Sequence, residues 1–254
     1  MDKQAMIRNF TRCAYAYDRY ADVQKRVALQ LIEQIEENNL ARILEIGCGT
    51  GNYTLLLRDR FKKAKLRALD ISGGMIEVAR LKLQDKGIEF IVADAERIYL
   101  NEDFDLITSN ACFQWFYDLE ETLLNYRAMI KDGGGISFSI FGPLTFWELN
   151  TSLENITKNA SIVAGNFITK DRIKEILNKN FRQIKIDEVR YEQTHHSLRD
   201  LLNKIKYTGT AGNAIINKNF FTAQFLDTLE ESYLGRFKQI QATYQIFFCH
   251  GKKV

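Results

Sequence analysis

The stretch IGCGTGNYT, residues 46 to 54, decides the fold class of this chain. It follows the apolar run RILE, which is typical of a buried strand, and it precedes a stretch with helical character. Glycines at the end of a strand let a ligand approach the backbone without a Cβ in the way, and the following helix offers unpaired N–H groups. The stretch therefore predicts a strand, loop and helix that bind a cofactor.

The spacing of the glycines narrows the choice of cofactor. A dinucleotide site needs G-x-G-x-x-G, but Asn52 stands where its last glycine belongs. No Lys-Ser or Lys-Thr pair follows, which excludes a Walker phosphate loop. Asp70 ends the strand-like segment AKLRALD, 23 positions after Gly47, where a doubly wound sheet places a carboxylate for ribose hydroxyls. A cofactor without phosphates fits these features better than a dinucleotide does.

The order of elements along the chain favours an α/β fold. Residues 1 to about 40 carry apolar side chains at near-helical spacing. Five β-rich runs alternate with helical stretches after them, which indicates a parallel sheet, and two further strands are expected at about 181 to 192 and from about 244. The runs are RILEIG, LRALD, EFIVAD, FDLITSN and GISFSIF. Gly133-Gly134-Gly135 is interpreted as a plain loop that leads into the fifth strand.

We therefore expect one domain over residues 1–254. Its parts are an N-terminal helical cap (1–40), a cofactor-binding core (41–142) and a C-terminal part (143–254) with a helical lid at about 195–241. A chain of 254 residues is long enough for one such domain with an insertion.

Composition excludes several classes of protein. The four cysteines, at 13, 48, 112 and 249, are scattered, and only three histidines are present, so neither a metal site nor a disulfide framework is expected. No apolar run approaches the ~20 residues that span a bilayer, and the N-terminus lacks a signal-type core. A net charge of +3 does not by itself imply nucleic acid. We expect a cytoplasmic monomer without membrane or nucleic-acid partners.

Further motifs carry a resemblance to the class I S-adenosylmethionine-dependent methyltransferases. ILEIGCGTG resembles their first motif, and LDIS with Met75, VADAE and FDLITSNACFQW continue the similarity. The resemblance implies a Rossmann-like fold, with a seven-stranded, mostly parallel sheet and helices on both faces. It also implies S-adenosyl-L-methionine as cofactor and S-adenosyl-L-homocysteine as product.

The same resemblance implies a set of cofactor-binding residues. They are Glu45, Gly47, Gly49, Gly51, Tyr53, Asp70, Ile71, Met75, Asp94, Ala95, Glu96, Asn110, Ala111, Gln114 and Trp115. Three of these assignments have structural alternatives. Asp94 would also suit a helix cap, Met75 would suit simple core packing, and Gln114-Trp115 would suit the core at a strand end. Strand ends in open α/β sheets line the ligand crevice, which favours function for Gln114-Trp115.

Four stretches outside the core motifs narrow the resemblance. AYAYDRYADVQKRVA, SNACFQWFYDLEETL, SFSIFGPLTFWEL and DLLNKIKYTGTAG are similar to the malonyl-acyl-carrier-protein O-methyltransferase family of biotin synthesis, and the similarity covers nearly the whole chain. This resemblance implies methylation of the free carboxylate of a malonyl thioester. The expected carrier and partner is acyl-carrier protein, with coenzyme A as the alternative carrier. The elements Y-D-x-x-A-x-x-Q and N-A-x-F-Q-W of the first two stretches also occur in related small-acid carboxyl methyltransferases such as trans-aconitate methyltransferase, so neither is decisive alone.

The chemistry of carboxylate methylation explains why no histidine-centred constellation stands out. A carboxylate with a pKa near ~4 is already ionised at neutral pH, so positioning rather than a general base limits the rate. Tyr17 is the predicted catalytic residue, although an ordinary packing tyrosine would fit its position equally well. The predicted substrate-binding residues are Tyr15, Phe113, Phe141, Lys204, Lys206 and Tyr207. Lysines of the lid would attract an acidic carrier, or simply form a solvated face.

Three other functions are weighed against this one. A small free acid such as trans-aconitate would suit the shared motifs. A regulatory or scaffold protein that binds S-adenosylmethionine without turnover would need a closed pocket. A nucleic-acid methyltransferase is disfavoured because SNACFQW stands where an N-P-P-Y-type strand end is expected.

Overall fold

A computed structural model describes residues 2–157, 162–208 and 222–254. In these ranges, seven strands form one sheet in the order β3-β2-β1-β4-β5-β7-β6. β7 is antiparallel to both its neighbours, and the other pairs are parallel. The predicted seven-stranded, mostly parallel sheet is confirmed. Its strands are β1 (Arg42–Ile46), β2 (Lys65–Asp70), β3 (Ile88–Val92), β4 (Phe104–Asn110), β5 (Ile130–Phe141), β6 (Arg182–His195) and β7 (Ile240–Lys252).

Six of the nine helices described here begin at a polar side chain that caps the first turn. The Asp2 carboxylate accepts hydrogen bonds from the backbone N–H groups of Gln4 and Ala5, and Ser72 accepts one from Met75, which stabilises each first turn. The helices are α1 (Lys3–Tyr20), α2 (Asp22–Glu33), α3 (Asn52–Arg60), α4 (Gly73–Lys82), α5 (Leu119–Met129), α6 (Trp147–Ile156), α7 (Lys170–Asn180), α8 (Leu198–Tyr207) and α9 (Ala223–Phe237). The division of the chain into cap, core and C-terminal part stays a prediction.

The core lies on both faces of the sheet because side chains alternate along each strand. Ile43 of β1 packs in one apolar cluster with side chains of α2, α3 and α6, whereas Leu44 packs in the opposite cluster with α5 and α7. Both side chains are fully buried. Helices therefore cover both faces, as predicted.

The glycine triplet 133–135 is a correction to the sequence interpretation. The predicted loop is wrong, because these residues belong to β5, which begins at Ile130 directly after α5. The Gly133 N–H donates to the Lys253 carbonyl at 3.0 Å, and the Lys253 N–H donates to the Gly134 carbonyl at 2.9 Å. The register with β4 is interrupted at this point by an irregularity. Glycine suits it, since a Cβ at Gly134 would lie 2.9 Å from the Asp105 carbonyl oxygen.

The predicted lid segment, about 195–241, contains α8 and α9, and its residues 209–221 lie outside the described ranges. β6 runs to His195 and β7 begins at Ile240, so both strands are longer than expected. α8 contacts α1 through stacked rings of Tyr20 and Tyr207, 4.6 Å between centroids. Across the described ranges, no helix combines the length and apolarity needed to cross a bilayer.

Candidate active site

A cavity of about 820 Å³, open mouth included, lies between the carboxyl ends of the parallel strands and α1. This is the edge at which open α/β sheets bind ligands. Many predicted site residues come together in its wall. Those lining it are Tyr17, Gly47, Gly49, Asp70, Ile71, Met75, Asp94, Ala95, Asn110, Ala111, Gln114, Trp115 and Phe141.

The glycine loop after β1 is held by backbone hydrogen bonds. The N–H groups of Gly47 and Cys48 donate to the Leu69 carbonyl at 2.7 and 2.9 Å. Gly47, Gly49 and Gly51 have φ of +69°, +53° and +84°, which disfavours other L-residues. A Cβ at Gly47 would collide with the Cys112 side chain, whereas one at Gly49 would meet nothing within 4 Å. Gly47 is thus needed for packing, and Gly49 leaves open space in the cavity wall.

Asp70 lies at the end of β2, beside this loop. Its Oδ2 accepts a hydrogen bond from the Gly49 N–H at 2.9 Å, and its Oδ1 accepts one from Ser72 N–H at 2.8 Å. Burial raises the pKa of Asp70 above its usual value, although these backbone donors oppose the shift. Each oxygen keeps accepting capacity toward the cavity, which suits hydroxyl groups of a ribose.

Glu45 is fully buried in β1 beneath the loop and does not itself line the cavity. Neither of its carboxyl oxygens has a hydrogen-bond partner among the described residues. Burial raises the pKa of Glu45 to about 8; the neighbouring Thr54 hydroxyl opposes this shift, and the charge of Asp70 adds to it. A carboxyl buried in this way is mostly protonated and uncharged at neutral pH.

The cavity wall at the start of α1 contains an ion cluster that the sequence did not predict. The Lys3 ammonium donates to both Asp94 oxygens at 2.8 Å and lies 2.5 Å from Glu96 Oε2. Burial would lower the pKa of Lys3, but these two carboxylates raise it overall. Lys3 belongs to α1, so the cluster ties the N-terminal helix to the segment after β3.

The segment after β4 forms the third wall. Ala111 has a φ of +54°, and the Gln114 amide donates to the Ala111 carbonyl at 2.7 Å. The amide oxygen of Gln114 is buried and has no partner within the described ranges, so an acceptor is available to a ligand. The Trp115 ring makes edge contacts with Phe10 and Phe167.

Tyr17 and Asp18 have different roles at the end of α1. Asp18 accepts hydrogen bonds from Thr50 Oγ1 at 2.5 Å, from Asn52 Nδ2 at 2.8 Å and from the Lys82 ammonium at 2.5 Å. Burial would raise the pKa of Asp18, but these donors lower it overall. The helix is thereby anchored to the glycine loop and to α4.

Tyr17 lines the cavity, and its hydroxyl makes no hydrogen bond to any residue in the described ranges. Burial raises its pKa, and the charges of Asp18 and Asp70 raise it further. The hydroxyl therefore keeps its proton and can donate a hydrogen bond in the cavity wall.

A smaller, mostly apolar cavity of about 510 Å³ adjoins the first. Gln24, Trp115, Phe141 and Thr208 line both cavities and form the junction between them. Lys204 lines only the smaller one, where its ammonium donates to Asp22 Oδ2 at 2.9 Å and to Gln193 Oε1 at 2.8 Å. This lysine is predominantly buried and paired, rather than exposed on the outer face of the lid.

The remaining predicted residues lie outside both cavity walls, and their roles stay predictions. Tyr15 is 73% exposed and donates to Glu77. Phe113 is buried against Phe116 and Phe138. The others are Gly51 at the start of α3, Tyr53 bonded to Thr108, Glu96 in the ion cluster, Tyr207 stacked on Tyr20, and exposed Lys206.

Several lining residues were missed at the level of sequence. They are Lys3, Met6, Phe10, Gln24, Leu69, Cys112 and Thr208. Gln24 was visible as the last residue of the element Y-D-x-x-A-x-x-Q, and Cys112 lies between predicted residues. Lys3, Met6 and Phe10 had no signal beyond helical periodicity, because only packing shows which face of α1 meets the cavity.

Comparisons with solved structures agree with this fold. The chain is similar to phosphoethanolamine N-methyltransferase 2 of Haemonchus contortus, solved in complex with S-adenosyl-L-methionine, with a TM-score of 0.60 and 18% identity. The match covers 95% of this chain, which spans 57% of that protein's chain. A similarity at this identity shows the fold alone. A family model described as a methyltransferase domain matches residues 43–134.

Two bacterial relatives match along nearly their whole length. The chain is 36% identical over 239 residues to malonyl-[acyl-carrier protein] O-methyltransferase 1 of Ilyobacter polytropus. The matched region covers 93% of this chain and 88% of that protein. The chain is 34% identical over 271 residues to the malonyl-[acyl-carrier protein] O-methyltransferase of Acetivibrio thermocellus, which covers 100% and 95% respectively. The chain therefore belongs to the malonyl-[acyl-carrier protein] O-methyltransferase family.

Proposed function

We infer that this protein transfers the methyl group of S-adenosyl-L-methionine to the free carboxylate of malonyl-acyl-carrier protein. The products are the methyl ester of the malonyl group and S-adenosyl-L-homocysteine. The reaction is an early step of biotin synthesis. The similarity over more than nine-tenths of the chain to enzymes of that name carries this conclusion. The cavity at the carboxyl edge of the sheet supports it.

The lining residues fit the cofactor chemically. When bound, S-adenosyl-L-methionine supplies an electrophilic methyl group on a positively charged sulfur. We propose that Asp70 accepts from the ribose hydroxyls and that Gly49 leaves room for the amino-acid part of the cofactor. The amide oxygen of Gln114, a residue of the cavity wall, is available to a donor group of the cofactor. This oxygen has no partner among the described residues, so a ligand with an N–H or O–H donor would satisfy it.

We propose that Tyr17 and Gln24 orient the substrate carboxylate. The Tyr17 hydroxyl and the Gln24 side chain both lie in the cavity wall, and neither side chain makes a hydrogen bond to a described residue. Gln24 also lines the smaller cavity. These two donors of the larger cavity would hold one carboxylate oxygen and leave the other free to attack.

We propose that the smaller cavity keeps water away from the substrate carboxylate. Its wall is built mainly of aromatic and aliphatic side chains, among them Phe141, Phe146, Ile162 and Tyr244. Excluding water removes the hydration shell of the nucleophile and strengthens the directed hydrogen bonds that remain. No proton needs to be abstracted, so Tyr17 and Gln24 act by aligning the carboxylate with the methyl group.

A tricarboxylic acid such as trans-aconitate fits the described wall less well. It would bring further carboxylates into the site, and burying unpaired charges is costly. The two lysines of the described cavity walls, Lys3 and Lys204, are already paired with carboxylates. A single substrate carboxylate needs only the two neutral donors, Tyr17 and Gln24.

We also propose that the enzyme works in the cytoplasm, as a monomer. Its four cysteines, Cys13, Cys48, Cys112 and Cys249, are free thiols. Free thiols suit a compartment in which they are kept reduced.

Activity measurements test the function directly. The purified enzyme is incubated with labelled S-adenosyl-L-methionine and, separately, malonyl-acyl-carrier protein, malonyl-coenzyme A, free malonate and trans-aconitate. We expect label on the malonyl thioesters. Label only on trans-aconitate contradicts the proposed substrate, and no label anywhere despite cofactor binding contradicts catalysis.

The Gln24→Glu variant tests the carboxylate site. A negative charge at the junction should repel the substrate carboxylate and reduce kcat/KM by about 100-fold. Gln24→Ala removes only the hydrogen-bond donor, so it should reduce kcat/KM by about 10-fold. Gln4→Glu adds the same charge on an exposed position and serves as control. Equal activity of Gln24→Glu and wild type would remove Gln24 from the site.

A further inference from the structure

The two faces of α1 differ in chemistry. Met6, Phe10 and Tyr17 line the cavity from the inner face. Arg8, Arg12 and Arg19 are exposed. With 100° of rotation per residue, the three arginines lie within about 40° of one another and on the side opposite the cavity. The helix that roofs the active site thus carries a row of guanidinium groups on its outside.

The positive charge of this row is not neutralised within the helix. α1 contains four basic residues and one acidic residue, Asp18. Lys3 is paired with Asp94 and Glu96, and Asp18 is turned toward Lys82 and the glycine loop. The three outer arginines therefore retain their charges.

The described neighbours of the three arginines neutralise them only weakly. Arg8 lies 3.8 Å from Asp2, with both side chains well exposed. Arg12 donates to the neutral side chain of Asn9 at 2.9 Å. Arg19 lies over the Tyr20 ring at 5.9 Å from its centroid. Exposed pairs of the Arg8 type contribute little free energy, so these charges are available to a partner.

The positive row continues onto α8. The Tyr20 ring stacks on Tyr207, and the Lys206 ammonium lies 5.3 Å from the centroid of that ring. Lys206 is exposed, and Arg199, seven residues earlier and also exposed, shares its helical face. We name Arg8, Arg12, Arg19, Arg199 and Lys206 the basic ridge. The exposed ring of Tyr15 lies between Arg12 and Arg19 in the row on α1 and adds apolar area.

We propose that the basic ridge is the docking surface for the acidic carrier protein that presents the malonyl thioester. This assignment rests on the proposed function, because that function supplies an acidic partner. Complementary charge steers association and orients the partner. A helix is about 10 Å across, so a carrier seated on the outer face of α1 lies one helix width from the cavity on the inner face.

A charge reversal on the ridge tests the proposal. The double variant Arg8→Glu, Arg12→Glu is compared with the double variant Lys62→Glu, Lys63→Glu. The second variant reverses the same number of charges at two exposed residues just before β2, at the amino edge of the sheet. Both are assayed with malonyl-acyl-carrier protein and with malonyl-pantetheine, a short thioester without the protein. Thermal unfolding of each variant checks the fold, and Arg8→Gln, Arg12→Gln provides a milder pair.

We expect the ridge reversal to raise KM for malonyl-acyl-carrier protein at least 10-fold at low salt, with a smaller defect at high salt. The glutamine pair should raise it about 3-fold. Turnover of malonyl-pantetheine and the KM of the Lys62, Lys63 control should change less than 2-fold.

Other results overturn the docking assignment. It is wrong if both double variants raise KM alike, if the ridge variant slows malonyl-pantetheine equally, or if no variant changes KM for the carrier substrate. A wild-type enzyme that methylates neither thioester instead contradicts the proposed function, so the two failures are distinguishable.

Discussion

The carboxyl edge of the sheet and the helical roof above it are built by different forces. At the edge, backbone N–H groups hold the loop. Those of Gly47 and Cys48 donate to the Leu69 carbonyl, and that of Gly49 donates to the Asp70 carboxylate. In the roof, side-chain ion pairs hold α1: Lys3 with Asp94, and Asp18 with Lys82.

This difference has consequences for function. A loop held mainly by uncharged backbone groups keeps its shape when the salt concentration changes, so it provides a rigid binding site for the cofactor. A roof held by partly exposed ion pairs is weakened by salt and by protonation of its carboxylates. The roof is therefore the part suited to open for exchange of cofactor and product. Four predictions separate the two regions.

The largest effect is expected at the edge, for Gly49→Val. The φ of +53° is unfavourable for a branched residue, and its side chain would project into open space where we place the cofactor. S-adenosyl-L-methionine affinity, measured by calorimetry, should fall at least 100-fold in a folded protein. Gly87→Val is the matched control, since Gly87 has a φ of +64° and equally open surroundings away from the cavity. An equal loss in both variants would contradict the loop assignment.

The second effect concerns the roof. Tyr17→Phe removes one donor to the substrate carboxylate, so kcat should fall about 10-fold or more while cofactor affinity changes less than 2-fold. Steady-state kinetics and calorimetry measure the two quantities. Tyr99→Phe, at a residue that is 67% exposed, controls for the loss of a hydroxyl. Wild-type turnover in a stable Tyr17→Phe enzyme would return Tyr17 to a packing role.

The third prediction concerns the pH dependence that Glu45 gives to the edge. Its folded-state pKa, about 8, lies above the ordinary 4.5, so the folded protein binds an extra proton between these values. The stabilising contribution is complete below pH 4.5 and is lost as pH rises toward 8, at up to about 1.4 kcal/mol per pH unit. Denaturant unfolding of cofactor-free Glu45→Gln should lack this slope, whereas Glu121→Gln, at an exposed position, should keep it. Parallel pH profiles for wild type and Glu45→Gln would disprove the shift.

The smallest effect is expected at the far end of the roof. Lys3→Met removes the cation that joins α1 to Asp94 and Glu96, so S-adenosyl-L-homocysteine should dissociate about 3-fold faster. Stopped-flow measurements at low and high salt check this, because salt should accelerate dissociation from wild type more than from the variant. Lys63→Met, remote from the cavity, should behave as wild type. Identical rates and salt responses for Lys3→Met and wild type would show that the cluster does not hold the roof.

Much of the sheet and of its edge was predictable because the signals are local. The glycine spacing of residues 47 to 51 and the carboxylate of Asp70 each follow directly from a strand that the sequence pattern indicates. The triplet at Gly133 was misinterpreted, since its glycines pair with the segment near Lys253, which lies far away in sequence.

The roof was less predictable because its contacts join distant parts of the chain. Lys3 and Asp94 are 91 residues apart, and Asp18 and Lys82 are 64 apart. Helical periodicity shows that α1 has an apolar face, but not which element that face covers. The lid lysines show the same limit, because only packing buries Lys204 against Asp22 and leaves Lys206 exposed.

The sequence by itself determined the α/β class, the loop that points to the cofactor and the family resemblance, because strand pattern and glycine spacing are properties of neighbouring residues. Only the tertiary structure decided which side chains share the cavity and which charges stay unpaired. It brought Gln24 and Tyr17 into the wall of one cavity and left the arginines of α1 on the outside. Burial and ion pairing depend on the partners that folding brings together, and no local pattern records them.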